Sequence, residues 1–168
     1  TEHLLAPVKI GSMTVANRIA MAPMGVEIVG DDGMANDEVI AYYEARAAGG
    51  AGLLITEVAA FAYPHGANSV HQLAMSDSRY IPALRKLTDA VHRHGAKIAV
   101  QLVHHGKISR VDVANGDPVY VPSLPEWHGS LDMINDLSID ELMAMAAASG
   151  GADMKPQFHA MTTDEIAA

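Results

Sequence analysis

Asn17-Arg18-Ile19-Ala20-Met21-Ala22-Pro23-Met24-Gly25 is the stretch whose reading decides the fold. Ile19–Ala22 is apolar at every position, the pattern of a strand covered on both faces. Pro23 lacks a backbone donor and stops the ladder. Gly25 is expected to let the chain leave in a direction other residues resist. A strand that ends in small residues and free backbone leaves room for a flat ligand at its C-terminal tip. Parallel α/β folds bind their ligands there.

Working outward, Val8–Ile10 and Met13 flank Gly11-Ser12, which predicts a hairpin before this strand. After it, Asp31-Asp32-Gly33 predicts a turn. Asn36 or Asp37 caps a helix running to Ala48, with Ile40, Tyr43 and Ala47 on one face. Gly49-Gly50 ends it. Ala51–Thr56 is a second buried strand with Glu57 at its tip, followed by a long loop over Ala59–Gln72. A second helix starts near Tyr80, with Pro82 in its first turn and Leu84, Leu87 and Val91 as the buried stripe; Gly95 closes it. Lys97–Val103 is a third strand. This strand–helix alternation predicts right-handed βαβ units and a parallel sheet.

Beyond Arg110 the regularity fades. Asp112–Trp127 reads as a loop with Pro118, Pro122 and Pro125. Ser138–Ala148 reads as an amphipathic helix whose methionines are core filler or interface. Thr162-x-x-Glu165 is a capping box that announces a new helix. So short a remaining stretch cannot hold a helix alone, and the sequence is expected to end inside an element.

Composition narrows the function classes. A hydrophobic share of 49% over 168 residues supports a real core but not two large domains. A net charge of −9 argues against a nucleic-acid or anionic-membrane partner. Without cysteine, this chain has no disulfide, no thiolate chemistry and no cysteine-held cluster. A cytoplasmic, reducing compartment is compatible with that. No apolar run has the length of a membrane span. The nine histidines show no HExxH spacing, and His92 and His94 fall on different helix faces, so no metal site is expected.

Asn17-Arg18-Ile19 with Ala22-Pro23-Met24 forms one block of a larger pattern. Tyr43-x-x-Arg46-Ala47-x-Gly49-Gly50-Ala51-Gly52-Leu53-Leu54-Ile55-Thr56-Glu57 forms a second. Leu87-Thr88-Asp89-Ala90-Val91-His92 and Lys97-Ile98-x-x-Gln101-Leu102-x-His104-x-Gly106 complete it. In that order the blocks resemble the old yellow enzyme family of flavin oxidoreductases, nearest to its 2-enoate and 2,4-dienoyl-CoA reductase branch. The resemblance covers about residues 3–110 and returns at Thr162–Ile166. It implies a TIM (β/α)8 barrel with FMN at the C-terminal strand ends, which takes about 250 residues. This chain is therefore expected to be the N-terminal part of such a barrel. Residues 1–110 would supply three strands and their helices, 111–161 a loop or insertion, and 162–168 the start of the next helix. The rest would come from a second polypeptide, or the chain is a truncated or cleaved product. Alone, it would leave strand edges unpaired.

By the same resemblance, Ala22, Pro23, Met24 and Gly25 run along the flavin ring, although without the other blocks the residues alone favour a plain buried strand with a proline stop. Many family members have Cys or Thr where Gly25 stands, a side chain that tunes the flavin potential; Gly25 cannot. Gln101 is a lone polar side chain in an apolar strand and needs a partner. Its amide is both donor and acceptor, which suits a flavin pyrimidine edge, the role of the matching family residue. Val58 matches a position that touches FMN through its backbone. Glu57 is expected to pair with Arg18 or Arg46 beneath the site, since a buried carboxylate needs such a partner. Glu27 aligns roughly with a substrate-side tyrosine in part of the family, and His104 is placed near the flavin side of the barrel mouth. The implied reaction carries hydride from NADH or NADPH by way of FMN to the β-carbon of an activated, α,β-unsaturated alkene. Carbonyl-polarising residues on the fourth strand and a late phosphate site lie outside this chain, as do the FAD and iron–sulfur cluster of the enoate reductase branch. The alternative is a non-catalytic companion subunit that binds no FMN itself.

Overall fold

The computed structural model describes residues 2–124 and 156–167. They form two compact units, Thr1–Tyr63 with Val70–Val103, and Pro64–Ser69 with His104–Ala168.

The first unit opens with a short helix α1 (Glu2–Leu5) and the expected hairpin, β1 (Val8–Ile10) against β2 (Met13–Val15), with Val8 opposite Val15. A parallel sheet follows, built from β3 (Ala20–Met21), β4 (Leu53–Ala60), β5 (Leu73–Ala74) and β6 (Lys97–Val103). β4 is the centre. β6 runs along it from Leu53↔Lys97 to Ala60↔Val103. The other edge is shared: β3 pairs with Leu53 and Leu54, and β5 with Ala59 and Ala60. Helices α2 (Asp37–Ala48) and α3 (Ile81–His92) cover one face. Tyr43, Leu54, Ala59, Leu73, Leu87 and Val91 form the core between them.

Local chemistry explains both helices. The Asn36 side chain accepts the Val39 N–H at 2.9 Å and donates to Ile28 O at 2.7 Å, so one amide caps α2 and ties down the preceding loop. Pro82 sits in the first turn of α3 as expected. Helix α2 buries Val39, Tyr43 and Ala47, while Ile40 is half-buried.

The sheet departs from expectation at three points. The stretch Ile19–Ala22 is not covered on both faces. Only Ala20 and Met21 are in a strand, paired on one side, and Ile19 and Ala22 are exposed. The second strand starts two residues later and runs four further than expected, so Glu57, Val58, Ala59 and Ala60 are strand and not loop. Within it, Ile55 pairs with Ala99 but Val58 pairs with Gln101, so β4 spends one more residue than β6 between these pairs. That is a β-bulge at Thr56–Glu57, and it shifts the side-chain alternation by one.

The second unit holds a 3-10 turn (Gly106–Ile108), helix α4 (Arg110–Asn115) and strand β7 (Pro118–Val121), which pairs in parallel with β8 (Gln157–Ala160). The loop expected over Asp112–Trp127 thus holds, in its described part, the end of α4 and the whole of β7. Pro118 is tolerated as the first residue of its strand. Val113, Val119, Val121 and Phe158 pack together. Helix α5 (Thr163–Ala167) follows the capping box: the Thr162 N–H donates to Glu165 Oε2 at 2.8 Å, and the Glu165 N–H donates to Thr162 Oγ1 at 3.3 Å. The helix expected over Ser138–Ala148 lies outside the described residues.

Candidate functional site

The parallel sheet puts the C-terminal ends of β3, β4 and β6 at one end of the unit. Asn17 sets β3 in place. Its Oδ1 accepts the N–H groups of Ile19 at 3.0 Å and Gly52 at 3.1 Å, and its Nδ2 donates to Gly50 O at 2.8 Å. A Cβ on Gly52 would sit 2.7 Å from Asn17 Oδ1. The asparagine and the glycine are thus two halves of one close approach that starts β3 beside β4.

From Ala22 the backbone leaves the ladder. Ala22, Met24 and Gly25 are exposed and Pro23 is half-buried. The expected glycine turn is absent. Gly25 does not have positive φ, and a Cβ there would meet nothing within 4 Å. The left-handed residue is Glu27, with φ of +53°. That geometry is uncommon for a residue with a side chain and needs local support.

Glu57 gives that support. Its side chain is fully buried. The Val26 N–H donates to its Oε2 at 3.1 Å, and the Glu27 N–H also faces the carboxyl group. The Glu57 N–H, freed from the ladder by the bulge, donates to Tyr43 Oη at 2.6 Å. Glu57 was expected to pair with Arg18 or Arg46. Instead, Arg46 donates to Tyr42 O at 2.9 Å and its guanidinium stacks on the Tyr42 ring, and no arginine reaches Glu57 among the described residues. Burial pushes the Glu57 carboxyl upward in pKa, opposed by the two backbone donors, and Glu27 pushes the same way as burial.

Val58 and Gln101 are cross-strand partners. By alternation from Leu54 and Ile98, which pack into the helix-side core, Gln101 lies on the opposite face. An unbulged β4 would have put Val58 on the helix side; the extra residue brings it round beside Gln101. The Gln101 N–H donates to Thr56 Oγ1 at 3.4 Å. Its side chain is exposed, so the argument from a buried lone amide does not apply to this chain. β6 has no strand on its outer side among the described residues, and water reaches that edge.

His104 belongs to the second unit. Its Nδ1 accepts the Gly106 N–H at 3.2 Å, and a Cβ on Gly66, which has φ of +69°, would run into its ring. Burial and the adjacent His104 hold the His105 pKa below its ordinary value. In the same unit, His65 Nδ1 lies 3.1 Å from Asp112 Oδ1 and 3.8 Å from Asp117 Oδ2. The buried Asp112 also accepts the Gly66 N–H at 2.8 Å. Sequence spacing gives no sign of this cluster, because His65 lies 47 residues before Asp112.

A family model described as NADH:flavin oxidoreductase / NADH oxidase matches residues 3–168. The chain belongs to that family. The match runs through the tail as well as the region up to Arg110 that carries the sequence blocks. Among relatives, an NADH oxidase of Thermoanaerobacter brockii is 37% identical over 121 residues, which are 72% of this chain and 19% of that protein. An NADPH dehydrogenase of Listeria monocytogenes is 41% identical over 105 residues, 62% of this chain and 31% of that protein. Among solved structures, the old yellow enzyme of Pichia sp. AKU4542 superposes with a TM-score of 0.75 at 25% identity, covering 98% of this chain and 39% of that one. Morphinone reductase gives 0.72 at 26%, covering 98% and 41%. The chain therefore spans less than half the length of these proteins. It matches part of an old yellow enzyme TIM barrel, and its sheet is not closed among the described residues.

Proposed function

We propose that this chain forms the first three strands of an FMN-binding barrel. With the rest of that barrel, it would carry hydride from NAD(P)H to an activated, α,β-unsaturated alkene. The observation that carries this reading is the pairing of Val58 with Gln101 on the sheet face away from the helices, at the strand end where Ala22–Gly25 leaves β3.

The residues suit the cofactor. Outside the ladder, Pro23, Met24 and Gly25 make no backbone hydrogen bond among the described residues, so their polar groups are available to a ligand. The space beside Gly25 is open to a planar ring. The exposed Gln101 amide offers a donor and an acceptor to a pyrimidine edge, and Val58 offers its backbone. When bound, FMN supplies the hydride exchange between nicotinamide and alkene; the chain's own work is to hold and orient it. Glu27 stands at the substrate side of this segment in the same reading.

Completion by further strands is part of the proposal. Val100 and Leu102 on the outer strand β6 are 40% and 59% exposed, an apolar surface that a closed barrel covers. A second polypeptide carrying the remaining strands would supply that cover, together with any FAD or iron–sulfur cluster.

Absorbance and intact mass of the purified material test this reading. A flavin band, with a second polypeptide in the complex, is expected, and Gln101→Ala should lower flavin content. Unchanged flavin content in Gln101→Ala overturns the assignment of Gln101. Gly25, at a position where the family often has Cys or Thr, favours the second reading, a companion subunit without FMN. A yellow complex whose colour stays wholly with the other chain would select it.

A further inference from the structure

We propose that Glu57 is the positioning residue of the Ala22–Glu27 segment. Its carboxyl group, set in place by the bulge in β4, draws the Val26 and Glu27 N–H groups inward and so fixes the backbone that faces the cofactor.

The geometry assigns Glu57 this task in three steps. First, a regular β4 would continue its alternation through Thr56 and leave Glu57 on the opposite face from Thr56. The extra residue breaks that pattern, and both are buried. Second, the bulge frees the Glu57 N–H from the ladder, and Tyr43 Oη takes it up from α2. The backbone of Glu57 is thus held from the helix side, and its side chain is free to reach the Ala22–Glu27 segment. Third, that side chain accepts the Val26 N–H at 3.1 Å, and the next N–H along the chain, on the left-handed Glu27, faces the same carboxyl group. Successive N–H groups turned to one acceptor form a concave nest, and an oxygen acceptor at its centre stabilises the conformation that makes it. This accounts for a positive φ at Glu27 while the flexible Gly25 does not need one.

The second carboxyl oxygen supports the same role. Oε1 is buried with no hydrogen-bond partner among the described residues. Among the described residues no cationic side chain pairs with it, and burial raises the Glu57 pKa. The orphaned Oε1 and the raised pKa have one cause, the enclosure of the group, and Oε2 is the oxygen that takes the backbone bond. An amide has the same shape and keeps such an oxygen, whereas alanine or leucine has no acceptor.

The part of this inference that concerns FMN rests on the function proposed above; the part that concerns the segment does not. The test uses the full chain with its completing partner, as Glu57→Ala, Glu57→Leu and Glu57→Gln. Amide hydrogen exchange is read at Val26 and Glu27 against reference amides in α3 and β6, and FMN affinity by quenching of flavin fluorescence. In the alanine and leucine variants, exchange at Val26 and Glu27 should rise about tenfold or more while α3 and β6 keep their protection. FMN affinity should fall about tenfold with it, and Glu57→Gln should restore both. Unchanged exchange at Val26 and Glu27 overturns the inference. So does protection lost evenly across the chain, which would make Glu57 a general stabiliser. So does a freed segment with undiminished FMN affinity. Absence of flavin binding in the unsubstituted complex defeats the proposed function instead, and the exchange data still decide whether Glu57 holds the segment.

Discussion

The phenolic oxygen of Tyr43 accepts the Glu57 N–H at 2.6 Å, joining the middle of helix α2 to the bulge of strand β4. Both residues are fully buried. Tyr43→Phe keeps the ring and removes the acceptor, which strands a backbone donor away from water. The expected loss is about 1–3 kcal/mol in urea unfolding. Burial pushes the Tyr43 phenol up to about 12 from its ordinary 10.0, with the Glu57 backbone contact pulling the other way. The folded protein therefore holds this proton longer than the unfolded chain does. Its contribution is whole below the ordinary phenol pKa and is lost as pH rises through the folded one. Tyr43→Phe should remove that part of the alkaline destabilisation.

Glu57 carries the corresponding dependence in acid. Its folded pKa lies above its unfolded value of 4.5, chiefly through burial. The folded state binds more protons in the interval between the two. Stability from this group is complete below the ordinary carboxyl pKa and declines as pH rises through the folded one. Urea midpoints measured from mildly acidic to neutral pH should fall with this slope in the natural chain and run flatter in Glu57→Gln. Identical slopes would mean that the carboxyl is not the titrating group.

Gly52→Ala tests the contact that starts the sheet. The new Cβ meets Asn17 Oδ1 at 2.7 Å and the Asn17 backbone N and O at 3.0 Å, and the backbone cannot move aside without opening the β3–β4 pairing. A loss of about 1–3 kcal/mol is expected. Asn17→Ala should lose a comparable amount, and the double variant should lose less than the sum, because the two residues share one contact.

Much of this was legible in the sequence, and for local reasons. Asn36 and Pro82 mark helix starts through bonds made within a few residues, so the helices fell where predicted. The alternation of strands and helices carried the parallel sheet, and the motif blocks carried the family. The bulge was not legible. Thr56-Glu57 reads as a polar strand tip, and bonds made in the fold let both be buried: the Thr56 hydroxyl donates to Glu57 O at 2.8 Å, while Tyr43 and Val26 meet Glu57. The same bonds displaced the left-handed turn from Gly25 to Glu27. The apolar run at Ile19 points to cover on both faces, but Ile19, Ala20 and Ala22 are exposed. In the second unit, α4 is too short for a helical period to register. β7 and β8 pair across more than thirty intervening residues, a distance over which sequence pattern says nothing of partnership.

The capping box at the start of α5 gives a prediction with the opposite pH sign. Glu165 accepts the Thr162 N–H at 2.8 Å, the Thr162 O–H at 2.9 Å and a His159 Nε2 contact at 3.0 Å. The bonds from Thr162, backbone first, and then His159 hold its carboxyl below the ordinary 4.5. Here the folded state releases its proton more readily than the unfolded chain. The helix start is therefore supported above the ordinary pKa and loses that support as pH falls through the lowered value. Exchange at the amides of α5 should quicken on acidification, and Glu165→Gln should show that faster exchange already at neutral pH. The group is exposed, so the effect should stay within this first turn and leave the unfolding midpoint of the parallel sheet where it was.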